Sequence, residues 1–152
     1  MRLVICAVGR FKGTPEAALT AEYARRSPWP LEVQEVQARR KGDKAAPTTQ
    51  EARLLDAVCP QGAIRVALDA RGRALDSTAL ARHLGAWRDE GQRCVAFLIG
   101  GADGLDPSIP DSAHLVLSLG AMTWPHGLAR AMLAEQLYRA QMILTGHPYH
   151  RA

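Results

Sequence analysis

The stretch RCVAFLIGGADG, residues 93–104, decides the fold class of this 152-residue chain. Its first half, Val95 to Ile99, is an unbroken apolar run, which is expected of a strand covered on both faces. Gly100, Gly101 and Gly104 then end the run within one turn. Strands of this kind occur mainly in parallel sheets with helices on both sides, so the stretch predicts an α/β fold.

Strand-like and helix-like segments alternate on both sides of that stretch. We predict strands at 2–8, 31–37, 63–69, 93–100 and 114–120, and helices at 14–26, 48–58, 76–91 and from Pro125 to about Leu144. Thr14 is the predicted N-cap of the first helix, and Thr48 and Glu51 have capping-box spacing in the second. The alternation predicts a single domain over 1–152, with a mostly parallel sheet and helices on both faces.

Composition narrows the class of protein. No apolar run reaches the roughly 18 residues needed to span a bilayer, and the N-terminus lacks a signal-peptide cleavage pattern, so we expect a cytoplasmic protein. Cys6, Cys59 and Cys94 lie far apart in apolar segments without any CxxC, which favours reduced core cysteines. The net charge of +4 weakly favours a polyanionic partner.

The most basic stretch is ARRKGDKAAP, residues 38–47, which we interpret as a loop. Its four cationic residues are Arg39, Arg40, Lys41 and Lys44, against the single acid Asp43. Either the loop is simply solvated, or it contacts the phosphates of a nucleic acid.

Three of the predicted strands end in unusual residues. These ends are Leu68-Asp69 followed by Ala70, Arg71 and Gly72; the GGADG turn; and LGAMTW at 119–124. Ligands of open parallel sheets bind beyond the carboxyl ends of the strands, so we expect a narrow pocket with apolar walls and main-chain donors. It suits a neutral base and sugar better than a dinucleotide or triphosphate, because GGADG matches neither GxGxxG nor GxxxxGK[ST].

The C-terminal sequence TGHPYHRA (145–152) is rich in functional side chains. Tyr149 could stack on a base, and Arg151 could pair with a phosphate. His150 could donate, accept or shuttle a proton near neutral pH, and His147 is a further candidate for an RNA contact. Alternatively, Tyr149 packs on a neighbouring surface and the order of the tail has no functional meaning. His147 and His150 have metal-like spacing, but no third ligand is local, so we expect no metal.

Two features of the last predicted helix stay open. Glu135 and Arg139 are four residues apart, which favours a surface ion pair, possible also at a subunit contact. His126 is either a ligand contact or a first-turn polar residue.

These motifs resemble the RlmH (YbeA-like) family of the SPOUT class of methyltransferases. The similar segments are LDARG with Asp76 and Ser77, FLIGGADGL, LSLGAMTWPHGLARAMLAEQLYRA and HPYHR, in that order, together with the N-terminal AVG and EYARR. The resemblance implies a homodimer with a C-terminal trefoil knot that binds S-adenosyl-L-methionine. It also implies methylation of N3 of a pseudouridine in 23S rRNA, on assembled ribosomes, without a metal or a membrane.

Carried over by motif, the resemblance implies a set of site residues. The cofactor contacts would be Leu68, Gly100, Leu119, Gly120, Ala121, Met122, Thr123 and Trp124. Tyr149, His150 and Arg151 would complete the active site and face the partner subunit's pocket. The chain departs from the family pattern at Gly120, where serine is common, and at Trp124, where a smaller apolar residue is common.

Two other functions compete with this interpretation. The first is a non-catalytic ribosome-binding protein that uses only the basic loop and the tail. The second is a related knotted methyltransferase that acts on tRNA, because the sequence contains no base-specific code.

Overall fold

The computed structural model describes residues 1–38 and 46–151, in which five parallel strands form one sheet in the order β2-β1-β4-β3-β5. The strands are β1 (Arg2–Val8), β2 (Leu31–Val36), β3 (Ile64–Ala74), β4 (Cys94–Ile99) and β5 (Leu115–Ser118). Because every pair is parallel, the carboxyl ends of all five strands lie at one edge of the sheet.

Helices cover both faces of this sheet, as the sequence predicts. They are α1 (Pro15–Arg26), α2 (Pro47–Val58), α3 (Ser77–Asp89), α4 (Ser108–Asp111) and α5 (His126–Leu144). Side chains of α1, α3 and α5 pack on one face, and those of α2 and α4 pack on the other. The single-turn helix α4 was not predicted, because four residues show no helical period.

Successive side chains of each strand point to opposite faces of the sheet and so form two hydrophobic cores, one on each face. In β1, Leu3 and Ile5 join the cluster under α5, whereas Val4 and Cys6 join the cluster under α2. The central strand β4 is buried on both faces, and Val95 to Ile99 are at most 4% exposed. This double burial explains the continuous apolar run in β4.

The helix starts test the capping predictions. Thr14 caps α1, and its Oγ1 accepts a hydrogen bond from the N–H of Ala17 at 3.2 Å. The capping box predicted for α2 is wrong: the helix begins at Pro47, and its N-cap Ala46 has no capping side chain. Proline is favoured at the first helical position, so it starts α2 one residue before Thr48.

The structure confirms only part of the prediction for the cysteines and does not describe the basic residues of the predicted loop. Cys6, Cys59 and Cys94 are free thiols, but only Cys6 is buried, whereas the other two are half-buried. Arg39, Arg40, Lys41 and Lys44 lie outside the described residues. Within the described ranges, no helix combines the length and apolarity that a membrane crossing requires.

Candidate functional site

The carboxyl ends of β3, β4 and β5 surround one cavity of about 200 Å³. Among its lining residues are Leu68, Asp69, Ala70, Gly100, Gly101, Gly104, Leu119, Gly120, Met122, Thr123, Trp124 and His126. Of the residues expected to contact the cofactor, Ala121 alone is not part of the lining. The three strand ends therefore converge, and cofactor binding by them stays a prediction.

The β3 wall of this cavity is formed by a bulge that the sequence did not reveal. Leu68 and Arg73 both pair with Leu117 of β5, so residues 69–72 loop out of the ladder. We expected the strand to end at Asp69, but it resumes and continues to Ala74. The bulge brings Asp69 to the cavity wall.

The carboxylate of Asp69 is held in its charged form. Its Oδ1 accepts hydrogen bonds from the N–H and the Nε of Arg71, at 2.8 and 3.1 Å, and Nη2 of Arg71 lies 2.9 Å from Oδ2. These hydrogen bonds lower the pKa of Asp69, although burial opposes them. A charged carboxylate that is paired with Arg71 thus lies on the β3 side of the cavity.

The β4 wall consists of main chain. A Cβ added to Gly100 would lie 2.6 Å from the carbonyl carbon and oxygen of Gly104, so no side chain fits at Gly100. The N–H of Gly104 donates to the carbonyl of Gly101 at 3.0 Å and closes the turn. A ligand on this side would meet main chain at Gly100, Gly101 and Gly104.

The 119–124 loop forms the third wall, and two of its polar groups are already paired. Gly120 has φ of 108°, and its N–H donates to Oγ of Ser118 at 3.1 Å. The indole Nε1 of Trp124 donates to the carbonyl of Leu119 at 3.2 Å across the loop. A serine at Gly120 would be strained at this φ. The N–H of Gly120 is engaged in the loop itself.

His126 stands where the cavity meets a second cleft. No described side chain caps the N-terminus of α5, whose N-cap is Pro125. The imidazole of His126 contacts the ring of Phe11 edge-on, with 5.3 Å between centroids, and lines both the cavity and the cleft. The contact is compatible with both predicted roles of His126.

The C-terminal tail lies on α5 of its own chain. The N–H groups of Gly146 and His147 donate to the carbonyls of Ile143 and Met142, a Schellman arrangement with Gly146 at φ of 69°. This turn reverses the chain, so the hydroxyl of Tyr149 donates to Oε1 of Glu135 at 2.9 Å.

The predicted Glu135–Arg139 pair exists and holds the tail. Nη2 of Arg139 is 2.6 Å from Oε1 of Glu135, and both side chains are mostly buried rather than on the surface. The same guanidinium lies over the ring of Tyr149, 4.8 Å from its centroid, and its Nη1 is 3.4 Å from Nδ1 of His150. Burial, Tyr23 and the Glu135 carboxylate raise the pKa of Tyr149, so its hydroxyl remains a donor.

The tail does not enter the cavity of its own chain. Glu135 lies nine residues after His126, which is about 13 Å along the axis of α5. Tyr149, His150 and Arg151 are absent from the cavity lining, and His147 and Arg151 are exposed. Within the described ranges, no three His, Cys, Asp or Glu side chains cluster in a way that could hold a metal ion.

Sequence reasoning missed Arg130, which is only 4% exposed. It donates to the carbonyls of Val8 and Gly9, both at 2.9 Å, and its Nη1 is 2.6 Å from Oε2 of Glu35. Its position four residues before Ala134, on the apolar face of α5, was the available signal, because a charge on such a face needs buried partners.

Comparison with known proteins identifies the family of this chain. The family model described as Predicted SPOUT methyltransferase matches residues 1–150. Proteins named "Ribosomal RNA large subunit methyltransferase H" are 54% identical in Rhodospirillum centenum, over all of both chains, and 52% identical in Paramagnetospirillum magneticum, over 99% of each. A probable methyltransferase structure from Bordetella pertussis shares the fold, with TM-score 0.59, 18% identity and coverage of 91% of this chain and 95% of that one. The chain belongs to the SPOUT methyltransferase family.

Proposed function

We propose that this protein uses S-adenosyl-L-methionine to methylate N3 of a pseudouridine in 23S rRNA of assembled ribosomes. The observation that carries the proposal is the convergence of three strand ends on one cavity, in a chain of the SPOUT methyltransferase family. Relatives about half identical over their full length are named as methyltransferases of large-subunit ribosomal RNA. Such an enzyme works where ribosomes are, so we also propose a cytoplasmic location.

The residues of the cavity fit this cofactor. Leu68, Leu119 and Trp124 provide apolar surface for an adenine ring, and the glycine backbone at Gly100 allows close approach. The charged carboxylate of Asp69 suits hydroxyl or cationic groups of the ligand. When bound, the cofactor supplies a methyl group already activated as a sulfonium.

We assign the remaining chemistry to the tail. The imide N3 of pseudouridine carries a proton that must leave during methylation, and His150 is our proposed acceptor, because imidazole is a base near neutral pH. Arg151 is exposed and free to approach negative charge developing on the uracil oxygens. Tyr149 orients the base.

These roles require a second subunit. Glu135, which holds the tail, lies six residues or about 9 Å along α5 from Ala129, the nearest α5 residue in the lining of the chain's own cavity. An apolar groove of about 720 Å³ runs beside that cavity and shares Leu119 and Gly120 with it. Tyr23 and Glu135 line the same groove, and Leu19 at its rim is 44% exposed. We propose that a second copy covers this groove, so that each tail serves the partner's cavity. The trefoil knot implied by the motifs is part of the same proposal.

The basic segment is proposed to add affinity for the ribosome. Arg39, Arg40, Lys41 and Lys44 lie in sequence between Ala38 and Pro47, which line the cleft next to the cavity. Replacing all four with glutamine should weaken ribosome binding and flatten its salt dependence, because fewer counterions are released. An unchanged salt slope would identify a merely solvated loop.

Mass spectrometry of rRNA tests the function directly. Ribosomes from a strain lacking this gene should gain one methyl group on a pseudouridine when the protein and cofactor are added. Calorimetry should show saturable binding of S-adenosyl-L-methionine; its absence would favour the non-catalytic ribosome-binding protein. Methylation of tRNA but not of ribosomes would favour the alternative substrate.

A further inference from the structure

The glycine turn that follows β4 rests against α2. Gly101 lines both the cavity at the strand ends and a second cleft of about 610 Å³ beside it, and Glu51 of α2 lines that cleft but not the cavity. A Cβ added to Gly101 would lie 3.2 Å from Oε1 of Glu51 and 3.1 Å from Cγ1 of Val8. The carboxylate of Glu51 therefore packs directly against the main chain of Gly101.

A second contact joins α2 to the other end of the same turn. Oγ1 of Thr49 donates to Oδ2 of Asp106 at 3.1 Å, and Oδ1 of Asp106 accepts from the N–H of Ser108 at 3.0 Å. Asp106 lies two residues after Gly104, the last glycine of the turn. The first turns of α2 thus hold the glycine turn at both of its ends.

Glu51 has no capping function that would explain its position. A capping box places a glutamate at the third helical position, whereas Glu51 is the fifth residue of α2, which begins at Pro47. Its carboxylate lies instead against the glycine turn.

The surroundings of Glu51 disfavour the charge of its carboxylate. Burial and the carboxylate of Asp103 raise the pKa of Glu51, and the N–H of Gly101 only partly offsets them. Within the described ranges, no cationic side chain forms a salt bridge with Glu51. An acid in such surroundings contributes little to folding, and groups with shifted pKa values are concentrated at functional sites. Its contact with Gly101 therefore indicates a role in the site.

We propose that Glu51 is a positioning residue for the cofactor, which accepts from the N–H of Gly101 and so fixes the glycine turn against which S-adenosyl-L-methionine binds. The inference deepens the proposed function, because it takes that cofactor as the ligand. Glu51 acts through Gly101 and does not itself contact the cofactor. Without the carboxylate, the turn would have to become ordered when the cofactor binds, and this entropic cost would reduce affinity.

Three variants of the full chain separate positioning from the folding of α2. Glu51→Ala removes the acceptor and introduces the best helix former, so α2 should remain folded. Glu51→Gln removes the charge but keeps an oxygen that can accept from the same N–H. Leu54→Ala is the control, because Leu54 packs on the core beneath α2 and lines neither the cavity nor the cleft. Calorimetry measures the binding of S-adenosyl-L-methionine, and urea unfolding measures stability.

Glu51→Ala should bind the cofactor about tenfold more weakly than the wild type, without a lower urea midpoint, because it also removes an acid beside Asp103. Glu51→Gln should bind it within about threefold of the wild type, because the acceptor is retained. Leu54→Ala should have a lower urea midpoint and the cofactor affinity of the wild type, because it weakens the core and leaves the turn in place.

Wild-type affinity in Glu51→Ala, or an equal loss of affinity in Leu54→Ala, would overturn the proposal. Equal weakening by Glu51→Gln and Glu51→Ala would also overturn it, since the charge of Glu51 rather than its acceptor oxygen would then be responsible. These outcomes leave the proposed function standing. A wild type that does not bind S-adenosyl-L-methionine would contradict the proposed function, and this inference with it.

Discussion

The hydroxyl of Tyr149 donates to Oε1 of Glu135 at 2.9 Å, which attaches the end of the chain to the middle of α5. The same oxygen accepts from Nη2 of Arg139 at 2.6 Å. The ring of Tyr149 also packs edge-on against Tyr138, with 4.8 Å between centroids. One carboxylate thus sets both the position of the tail and the orientation of its tyrosine.

The first prediction concerns this hydrogen bond. Tyr149→Phe removes a hydrogen bond to a charged acceptor, a contact worth about 1.5–3 kcal/mol. The tail should loosen, so amide exchange at 149–151 should accelerate and the methylation rate should fall about tenfold, since catalysis depends on positioning. Tyr138→Phe is the matched control, because its hydroxyl makes no hydrogen bond within the described residues. Equal rates for both variants would contradict the role of the Glu135 contact.

The second prediction concerns the proton acceptor. His150→Ala should reduce single-turnover methylation by about 10²–10⁴-fold if the imidazole accepts the N3 proton, with cofactor affinity unchanged. The structure suggests a sharper variant. Because Arg139 can only donate, a neutral His150 paired with it accepts at Nδ1 and carries its proton on Nε2, so the 3.4 Å contact with Arg139 must open before Nδ1 can accept the N3 proton.

Glutamine can mimic a donating Nε2–H but is not a base. His150→Gln should therefore be as slow as His150→Ala. Near-normal turnover by the glutamine variant would show that His150 donates a hydrogen bond to the base and removes no proton.

The third prediction concerns the β4 wall. Gly100→Ala places a methyl group against the backbone of Gly104, so the turn must shift, at a cost of about 1–3 kcal/mol in the free energy of unfolding. Binding of S-adenosyl-L-methionine should weaken at least tenfold by calorimetry. Gly91→Ala is the control: its φ of 84° strains a side chain, but nothing lies within 4 Å of the added Cβ. It should lower stability by about 1 kcal/mol and leave cofactor affinity unchanged.

The fourth prediction is a pH dependence of stability. Burial alone would raise the pKa of Glu35, but hydrogen bonds from Arg130 and from the N–H of Phe11 outweigh it and lower the pKa. A carboxylate with a lowered pKa in the folded state stabilises the protein above its unfolded pKa of about 4.3, and this stabilisation is lost as the pH falls through the folded value.

Urea unfolding of the wild type and Glu35→Gln should show this sign. The wild type should be more stable at pH near 7, and the difference should shrink below about pH 4. Glu90→Gln, at the exposed C-cap of α3, is the control and should differ little from the wild type. A constant difference between the wild type and Glu35→Gln at all pH values would rule out the ion pair as its source.

Much of the fold was predictable because strand and helix periods are local. The run from Val95 to Ile99 indicated a strand buried on both faces, and it lies at the centre of the sheet. The convergence of the three unusual strand ends followed from parallel pairing, which brings all carboxyl ends to one edge. The convergence of these strand ends was therefore predictable from the sequence alone.

Other parts of the site depend on contacts between distant residues. Arg130 donates a hydrogen bond to the carbonyl of Val8, 122 positions away in the sequence, and no local pattern in α5 identifies that partner. The bulge of β3 exists because Leu117 pairs with both Leu68 and Arg73. The alternating sequence pattern of a strand cannot reveal that one residue of the neighbouring strand pairs with two of its residues.

The sequence by itself determined the order and kind of the main elements and the edge of the sheet where the site lies, because hydrophobic period and turn chemistry are properties of short segments. Only the tertiary structure decided how those segments are joined: the main-chain wall at Gly100, the buried clamp of Arg130 on the β1–α1 turn, and the attachment of the tail to Glu135. These features arise where segments far apart in the chain are packed against one another. Such packing depends on all the elements of the fold together, so no single segment of sequence specifies it.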